Sequence, residues 1–550
     1  MVDMEIIDVQ KERLKLIYHL SDMDQAVSRE YTRRMFIFDF PDRTKRAEAT
    51  TALRRGLKTA FKRYPHMTGR VGPFDDDLLD QDLIMLRYGD TEATREITSE
   101  MFQASYRKKS SEWYGYKELC RMNMPVSHWK PKDFCIAPQD WETEDWVPAV
   151  TLKATFLGTG CLVLCFAFHH SLVDGRSIDM FINTFAKGVR DPNAINEVDE
   201  YIPPQDLAES CNFDIESMHH LFDGNRFPEW NFNKKPQVHP HHSRSGRCRL
   251  IKFPAKAISE MRELCLAWLV VHGNAEGAFL SYIDVLSALM WVSLLRARHT
   301  RLNDDDHDVI STFTTTVDLR RQDSDGLVPE DYFGNMSMEL AVTSRDIEDV
   351  VHPETTKASL KAASRLEPAT IDTIASCASA IRDEILLIDP DYVEDRLAML
   401  ETLATPLDAI DACKRAVKSH KYGAKVGSLV GFGADIDFGI PGTPKDEEKQ
   451  GGGARARFVR KPWTRDNGMI TIMPRRSGSR GLDDDWVVLV CADSVVLEQL
   501  CSKEELGRWA TAFVDDEDPS LWWESRFGAR RVPDDGEDED EDEEGDVEMK

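Results

Sequence analysis

Two hydrophobic rhythms alternate along the chain. Between Thr50 and Tyr64 (TTALRRGLKTAFKRY), Ala52, Leu53, Leu57, Ala60 and Phe61 recur at helical spacing. Arg54, Arg55, Lys58 and Lys62 fall on the other side, and Pro65 stops the pattern. From about Asp75 to Trp146 the sequence is irregular and polar, which predicts mixed loops and short elements. Thr151–Phe168 predicts two strands joined by Gly158-Thr159-Gly160. The second, CLVLCFAF, is a continuous apolar run, as in a sheet covered on both faces. Prolines, histidines and charges then take over from about Glu197 to Arg247, a linker composition. Helical spacing returns at Ala255–His272 and Ser281–Arg298, followed by a strand at Val309–Val317. Further helices are predicted at Lys357–Ala378 and Val393–Leu403, strands at Met469–Pro474 and Trp486–Cys491, and a last helix at Lys503–Val514. Strands and helices mix in both halves, which predicts two α/β domains of similar size.

Composition narrows the function class. A chain of 550 residues is too long for one core, and its net charge of −28 opposes binding to nucleic acid or anionic lipid. Twelve acidic residues between Asp534 and Glu548 make the C-terminal tail low-complexity acid, for which disorder is expected. The triplet Gly451-Gly452-Gly453 after KDEEKQ reads as a surface insertion. No window approaches the roughly 18 apolar residues of a membrane span, and the opening mixes charges where a signal peptide needs an apolar run. The eleven cysteines are scattered without a CxxC pair, which points to a reduced, cytoplasmic compartment. His239, His241 and His242 have no cysteine or carboxylate at ligand spacing, so no metal is expected.

The segment FAFHHSLVDGRSIDM (Phe166–Met180) is where chemistry concentrates. A buried strand runs straight into His169-His170, then a turn, Asp174-Gly175 and an amphipathic helix. A histidine at the mouth of a rigid sheet is well placed to serve as a base in a cleft. Asp174, four residues after His170, can fold back to fix the loop or to orient the ring. Gly175 gives the backbone freedom before the helix. HHxxxDG is expected by chance only about 0.002 times in a chain of this composition.

HHSLVDG resembles the HHxxxDG signature of the HxxxD acyltransferases, the superfamily of chloramphenicol acetyltransferase, BAHD enzymes and condensation domains. The chain is most similar to BAHD-type enzymes and trichothecene 3-O-acetyltransferases. The likeness extends to LSDMDQ (Leu20–Gln25), LKTAFKRYPHMTGRV (Leu57–Val71), SYIDVLSALMWVSLLRAR (Ser281–Arg298), VDLR (Val317–Arg320), YFGN (Tyr332–Asn335) and Asp437-Phe438-Gly439. The DFG is followed by Ile440-Pro441-Gly442 where the family has Trp-Gly.

This resemblance implies two chloramphenicol-acetyltransferase-like α/β domains with a channel at their interface. They would comprise residues 1–215 and 249–520, with a crossover linker at 216–248 and an acidic tail at 521–550. It implies direct transfer of an acyl group, acetyl foremost, from acyl-CoA to a hydroxyl or amine of a small-molecule acceptor. His170 would be the general base. Asp174 would point away from the substrate and pair with an arginine, for which Arg320 is the candidate. His169 would pack or hydrogen-bond within the sheet, Gly175 would keep the channel wall open beside the pantetheine arm, and Asp437 and Gly439 would be architectural. Asn335 either lines the cofactor side or simply makes a turn. Arg460, Lys461, Arg475 and Arg476 either meet the nucleotide phosphates or are solvated. A monomer with no metal and no permanently bound cofactor is expected.

Other readings of the motifs fail. The DFG triplet lacks the Gly-rich and HRD loops of a kinase, and the chain has no GxSxG and no GxxxxGK[ST]. The alternatives that survive are a condensation-type module taking carrier-protein thioesters and an inactive acyltransferase fold used for binding.

Overall fold

A computed structural model describes residues 16–18, 20–74, 83–90, 96–108, 115–138, 146–202, 227, 229–231, 247–272, 279–299, 310–321, 329–346, 368–403, 408–413, 423–444, 454–461, 468–476 and 484–515. The acidic tail, the Gly-rich triplet, the three clustered histidines and most of the 216–248 linker lie outside them.

The first half contains β1 (Leu16–Tyr18), α1 (Asp22–Gln25), β2 (Tyr31–Asp39), α2 (Arg46–Arg63), β3 (Arg70–Pro73), β4 (Ile84–Tyr88) and β5 (Phe102–Arg107). It continues through α3 (Tyr116–Arg121), α4 (Pro131–Phe134), β6 (Val147–Pro148), β7 (Val150–Leu157), β8 (Cys161–His169) and α5 (Gly175–Arg190). The second half opens with β9 (Arg247–Phe253), α6 (Ala255–Val271), α7 (Tyr282–His299), β10 (Ile310–Asp318), β11 (Ser337–Asp346), α8 (Pro368–Leu386) and α9 (Pro390–Glu401). It ends with β12 (Ala424–Ser428), β13 (Phe458–Arg460), β14 (Met469–Ile472), β15 (Trp486–Ala492), α10 (Ser494–Leu500) and β16 (Ala512–Asp515).

Each half is built on a mixed sheet. The first has the order β13-β2-β8-β7-β5, with β5 parallel to β7 and the other pairs antiparallel. The second has the order β11-β10-β12-β14-β15-β9-β16, and a small sheet β1-β4-β3-β6 flanks the first half. All nine residues of β8 are buried, which explains its unbroken apolar run. Helices α2 and α5 cross closely over this sheet at Gly56, where a β-carbon would stand 2.5 Å from Val189 Cγ2.

The chain crosses between the halves more than a single boundary allows. Strand β13 adds to β2, and Ala434, Ile436, Phe438, Ile440, Ala456 and Val459 are buried in the first-half core. A cut at 248 therefore does not separate the packing units. Within the expected linker, Glu229 is buried and paired with Arg396, and Trp230 packs under that guanidinium, so this stretch is docked.

One element differs from the sequence expectation. Lys503–Val514 is not a helix: a single 3-10 turn at Leu506–Arg508 gives way to β16, which caps the open edge of β9 (Phe513 opposite Ile251). Pairing an edge strand outweighs the helical spacing of Leu506, Trp509, Ala510 and Phe513. Of the helix expected at Lys357–Ala378, residues 357–367 lie outside the described residues, and the described helix runs Pro368–Leu386.

Candidate active site

The HHSLVDG turn sits where β8 leaves the first sheet and faces the second half. His169 ends the strand with no exposed surface, edge-on to the Tyr31 ring at 5.5 Å. Burial pulls its pKa down to about 3, helped by the neighbouring charges of His170 and Arg29, so its imidazole is neutral. His170 opens a 3-10 turn to Leu172 and is only partly buried. Its backbone N–H donates to the Glu30 carbonyl at 2.8 Å. Its Nδ1 lies 3.1 Å from the Val173 carbonyl, an acceptor only, so Nδ1 carries the proton and Nε2 keeps a lone pair.

Asp174 caps α5, and none of its carboxylate's hydrogen bonds goes to the His170 ring. Oδ1 accepts from the Arg176 and Ser177 N–H groups at 3.1 and 3.0 Å, while Oδ2 accepts from Arg320 Nη1 at 2.8 Å and the Met336 N–H at 2.9 Å. The carboxylate therefore fixes the loop and does not orient the ring. Arg320 spends its other donors on Asp318 (2.9 Å), the Tyr332 and Gly334 carbonyls (3.1 and 2.9 Å) and Ser177 Oγ (3.3 Å). Burial works to lower its pKa, but the Asp174 and Asp318 carboxylates prevail and raise it.

The far end of α5 is tied down as well. Arg190, its last residue, donates to the Asp437 carbonyl, and the Gly439 N–H returns to Asp437 Oδ1 at 3.0 Å. Gly439 has φ +54°, a left-handed conformation that favours glycine. Phe438 between them packs on Phe36 and Phe38, at ring distances of 5.1 and 5.3 Å. The divergent Ile440-Pro441-Gly442 thus follows a turn that is built in full.

Three expectations need correction. Asn335 does not line a cofactor surface: it is fully buried, and its Nδ2 donates to Asp24 Oδ1 (2.9 Å) and to the His170 carbonyl (2.8 Å). Arg460 is buried and donates to the carbonyls of Asn123, Met124 and Val459, bracing β13 and leaving no face for a phosphate. Lys461 follows it, half-buried at the strand's end. Arg475 donates to the Asp484 carbonyl over the Trp486 ring, and Arg476 donates to the Ala456 carbonyl. A β-carbon on Gly175 would touch Phe432 at 3.0 Å, so that glycine permits close packing as α5 begins.

Sequence reasoning passed over two residues at this site. Asp24 stands in the quoted LSDMDQ but looks there like an ordinary helix-start acid. Arg34, in β2, is buried behind the start of α5 and donates to the Gly175 carbonyl at 3.4 Å. Burial lowers its pKa to about 10 against the opposing pull of Asp179 and Asp174. Among the described residues no cluster of His, Cys, Asp or Glu could hold a metal, and no helix is long and apolar enough to cross a membrane.

Comparison with known proteins puts this geometry in context. A model of the trichothecene 3-O-acetyltransferase-like N-terminal domain matches residues 31–188, and one of the Transferase family matches residues 134–395. Between them the two models span residues 31–395, and over that stretch the chain resembles these transferases. Among curated relatives, the acyltransferase easC of Emericella nidulans is 22% identical over 77% of this chain and 90% of its own length. The trichothecene 8-O-acetyltransferase of Fusarium sporotrichioides is 24% identical over 87% and 95% respectively. Among solved structures, TRI101 of F. graminearum complexed with coenzyme A and deoxynivalenol superposes with a TM-score of 0.67, at 16% identity, over 91% of this chain and all of that one. The resemblance read from the sequence holds for family and for the two-domain fold, and the chain is an acyltransferase.

Proposed function

We propose that the enzyme transfers an acyl group, acetyl foremost, from acyl-CoA directly to a hydroxyl of a small secondary-metabolite acceptor, with His170 as general base. The observation that carries this reading is the contrast between the two histidines. His169 is sealed in the core, whereas His170 is partly exposed with Nδ1 held by Val173 and Nε2 left to accept a proton. Solved neighbours complexed with coenzyme A together with T-2 toxin or deoxynivalenol support the thioester donor and the alcohol acceptor.

In the reaction, Nε2 takes the hydroxyl proton as the oxygen attacks the thioester carbonyl. The tetrahedral intermediate collapses with cleavage of the C–S bond, and the imidazolium returns its proton to the leaving sulfur, giving free CoA thiol and neutral His170. Asp174 and Arg320 hold the loop without entering the proton path. Such a base contributes about 10²–10⁴-fold in rate. The test incubates the full-length protein with acetyl-CoA and a panel of alcohols and amines and follows free thiol. His170→Ala should abolish at least about 99% of turnover while leaving the fold intact. Turnover that survives His170→Ala, or none with any acceptor, would refute the assignment.

A further inference from the structure

Asp24 lies far from the HHSLVDG turn in sequence but is joined to it through one residue. Its carboxylate is 2% exposed, and both oxygens are doubly engaged. Oδ1 accepts the backbone N–H (2.8 Å) and the Nδ2–H (2.9 Å) of Asn335, while Oδ2 accepts the hydroxyl (2.8 Å) and N–H (3.2 Å) of Ser21. The remaining Nδ2 hydrogen of Asn335 goes to the His170 carbonyl at 2.8 Å. Chemistry fixes the amide's orientation, because a flipped Asn335 would set its oxygen against a carboxylate and a carbonyl at once.

That carbonyl matters to the base. It also accepts the Val173 N–H at 3.3 Å, closing the turn in which the Val173 carbonyl holds His170 Nδ1. Clamping it therefore sets where the ring points. The helix bearing Asp24 is anchored on its other sides too: Gln25 bonds both backbone groups of Ile84 (2.7 and 3.3 Å), and Met23 is buried among second-half residues.

We infer that Asp24 is a positioning residue for acyl transfer, acting through Asn335 to hold the His170 turn so that Nε2 faces the acceptor hydroxyl. This rests on His170 being the base. An ionised carboxylate suits the position because it meets four donors while offering none of its own. Misplacing a reacting group by about 1 Å costs about 10²-fold, and the loss falls on kcat because Asp24 and Asn335 are buried away from the substrates.

Three variants of the full-length enzyme test this: Asp24→Asn, Asn335→Ala, and the exchange Asp24→Asn with Asn335→Asp. Free-thiol release from acetyl-CoA is followed with the best alcohol of the panel, or with water as acceptor if none is turned over, and urea midpoints are measured in parallel. Each single variant should lower kcat by about 10–100-fold and move the KM for acetyl-CoA less than about threefold. The exchange restores an amide–carboxylate contact, so its midpoint should exceed that of Asp24→Asn. Its kcat should stay low, because a carboxylate at 335 repels the His170 carbonyl. Single variants with kcat within about threefold of wild type per folded enzyme would overturn the inference, as would an exchange that recovers kcat along with stability. If Asp24→Asn does not fold, Asn335→Ala decides alone, since Asp24 there retains both Ser21 donors. Loss of activity in His170→Ala with full activity in these variants refutes only the role of Asp24; activity in His170→Ala refutes the base itself.

Discussion

Asp174→Ala is expected to destabilise the catalytic lobe far more than it alters the chemistry per folded molecule. The carboxylate is 1% exposed and satisfies two N–H groups at the start of α5 in addition to Arg320 and the Met336 N–H. Alanine removes a helix cap, which costs about 1 kcal/mol. It also strands a buried guanidinium, and breaking a buried pair from one side costs about 3–5 kcal/mol. Asp318 remains 2.9 Å from Arg320 with its side chain 24% exposed, so part of the compensation survives. Because one carboxylate does both jobs, the two costs overlap, and about 4 kcal/mol is the expected total. Asp174→Asn keeps the cap acceptor but turns an amide towards two donors, for about 3 kcal/mol. Urea unfolding followed by tryptophan fluorescence, with kcat measured on the folded fraction, checks both figures. An unmoved midpoint with kcat reduced more than about 100-fold would mean that the carboxylate acts on the imidazole, and the strut reasoning would be wrong.

Two further outcomes follow from buried basic residues. His169, held down to about 3, takes up a proton only on unfolding, so the unfolded chain binds more protons between that value and its ordinary pKa of about 6.5. Stability should therefore rise with pH up to about 6.5, by at most about 1.4 kcal/mol per unit from this residue, and level off above it. His169→Phe should flatten the dependence of the urea midpoint between pH 5 and 7, and an unchanged slope would sink the argument. Arg460→Met should lower stability while leaving the KM for acetyl-CoA within about twofold, because its donors serve backbone carbonyls. A tenfold rise in KM would restore the phosphate-binding role.

The parts of this molecule legible in the sequence are those whose physics is local. A two-sided strand, a turn with two histidines and a capped amphipathic helix follow one another within Phe166–Met180, so the proposed base and its loop could both be read there. Contacts spanning most of the chain could not be read the same way. The Asp174–Arg320 pair spans 146 positions and was reachable only through family likeness, since nothing in VDLR itself points to Asp174. Strand β13 is three residues, too short to show a period, and its place beside β2 depends on Phe438 finding an aromatic cluster. Lys503–Val514 carries a sound helical pattern and still forms a strand, because β9 has an edge to close. The basic pair at 460–461 resembled a phosphate site only while burial was unknown.

These long-range contacts have one property in common that bears on the mechanism. The first half supplies His170, but the groups that immobilise its turn and helix include Arg320, Met336, Asn335 and Asp437, all from the second half. Helix α5 is consequently held at its start by Arg320 acting on Asp174 and at its end by Asp437 acting on Arg190. Neither half alone can set the direction of Nε2, although the first half contains the complete motif. A general base needs only a suitable pKa to accept a proton, but it needs a fixed position to accept it from an attacking hydroxyl. The His170 imidazole takes its fixed position from the docking of the two halves. If His170 is the base, as proposed, catalytic competence is a property of their interface, and loosening that interface removes the geometry while every residue of HHSLVDG is still present.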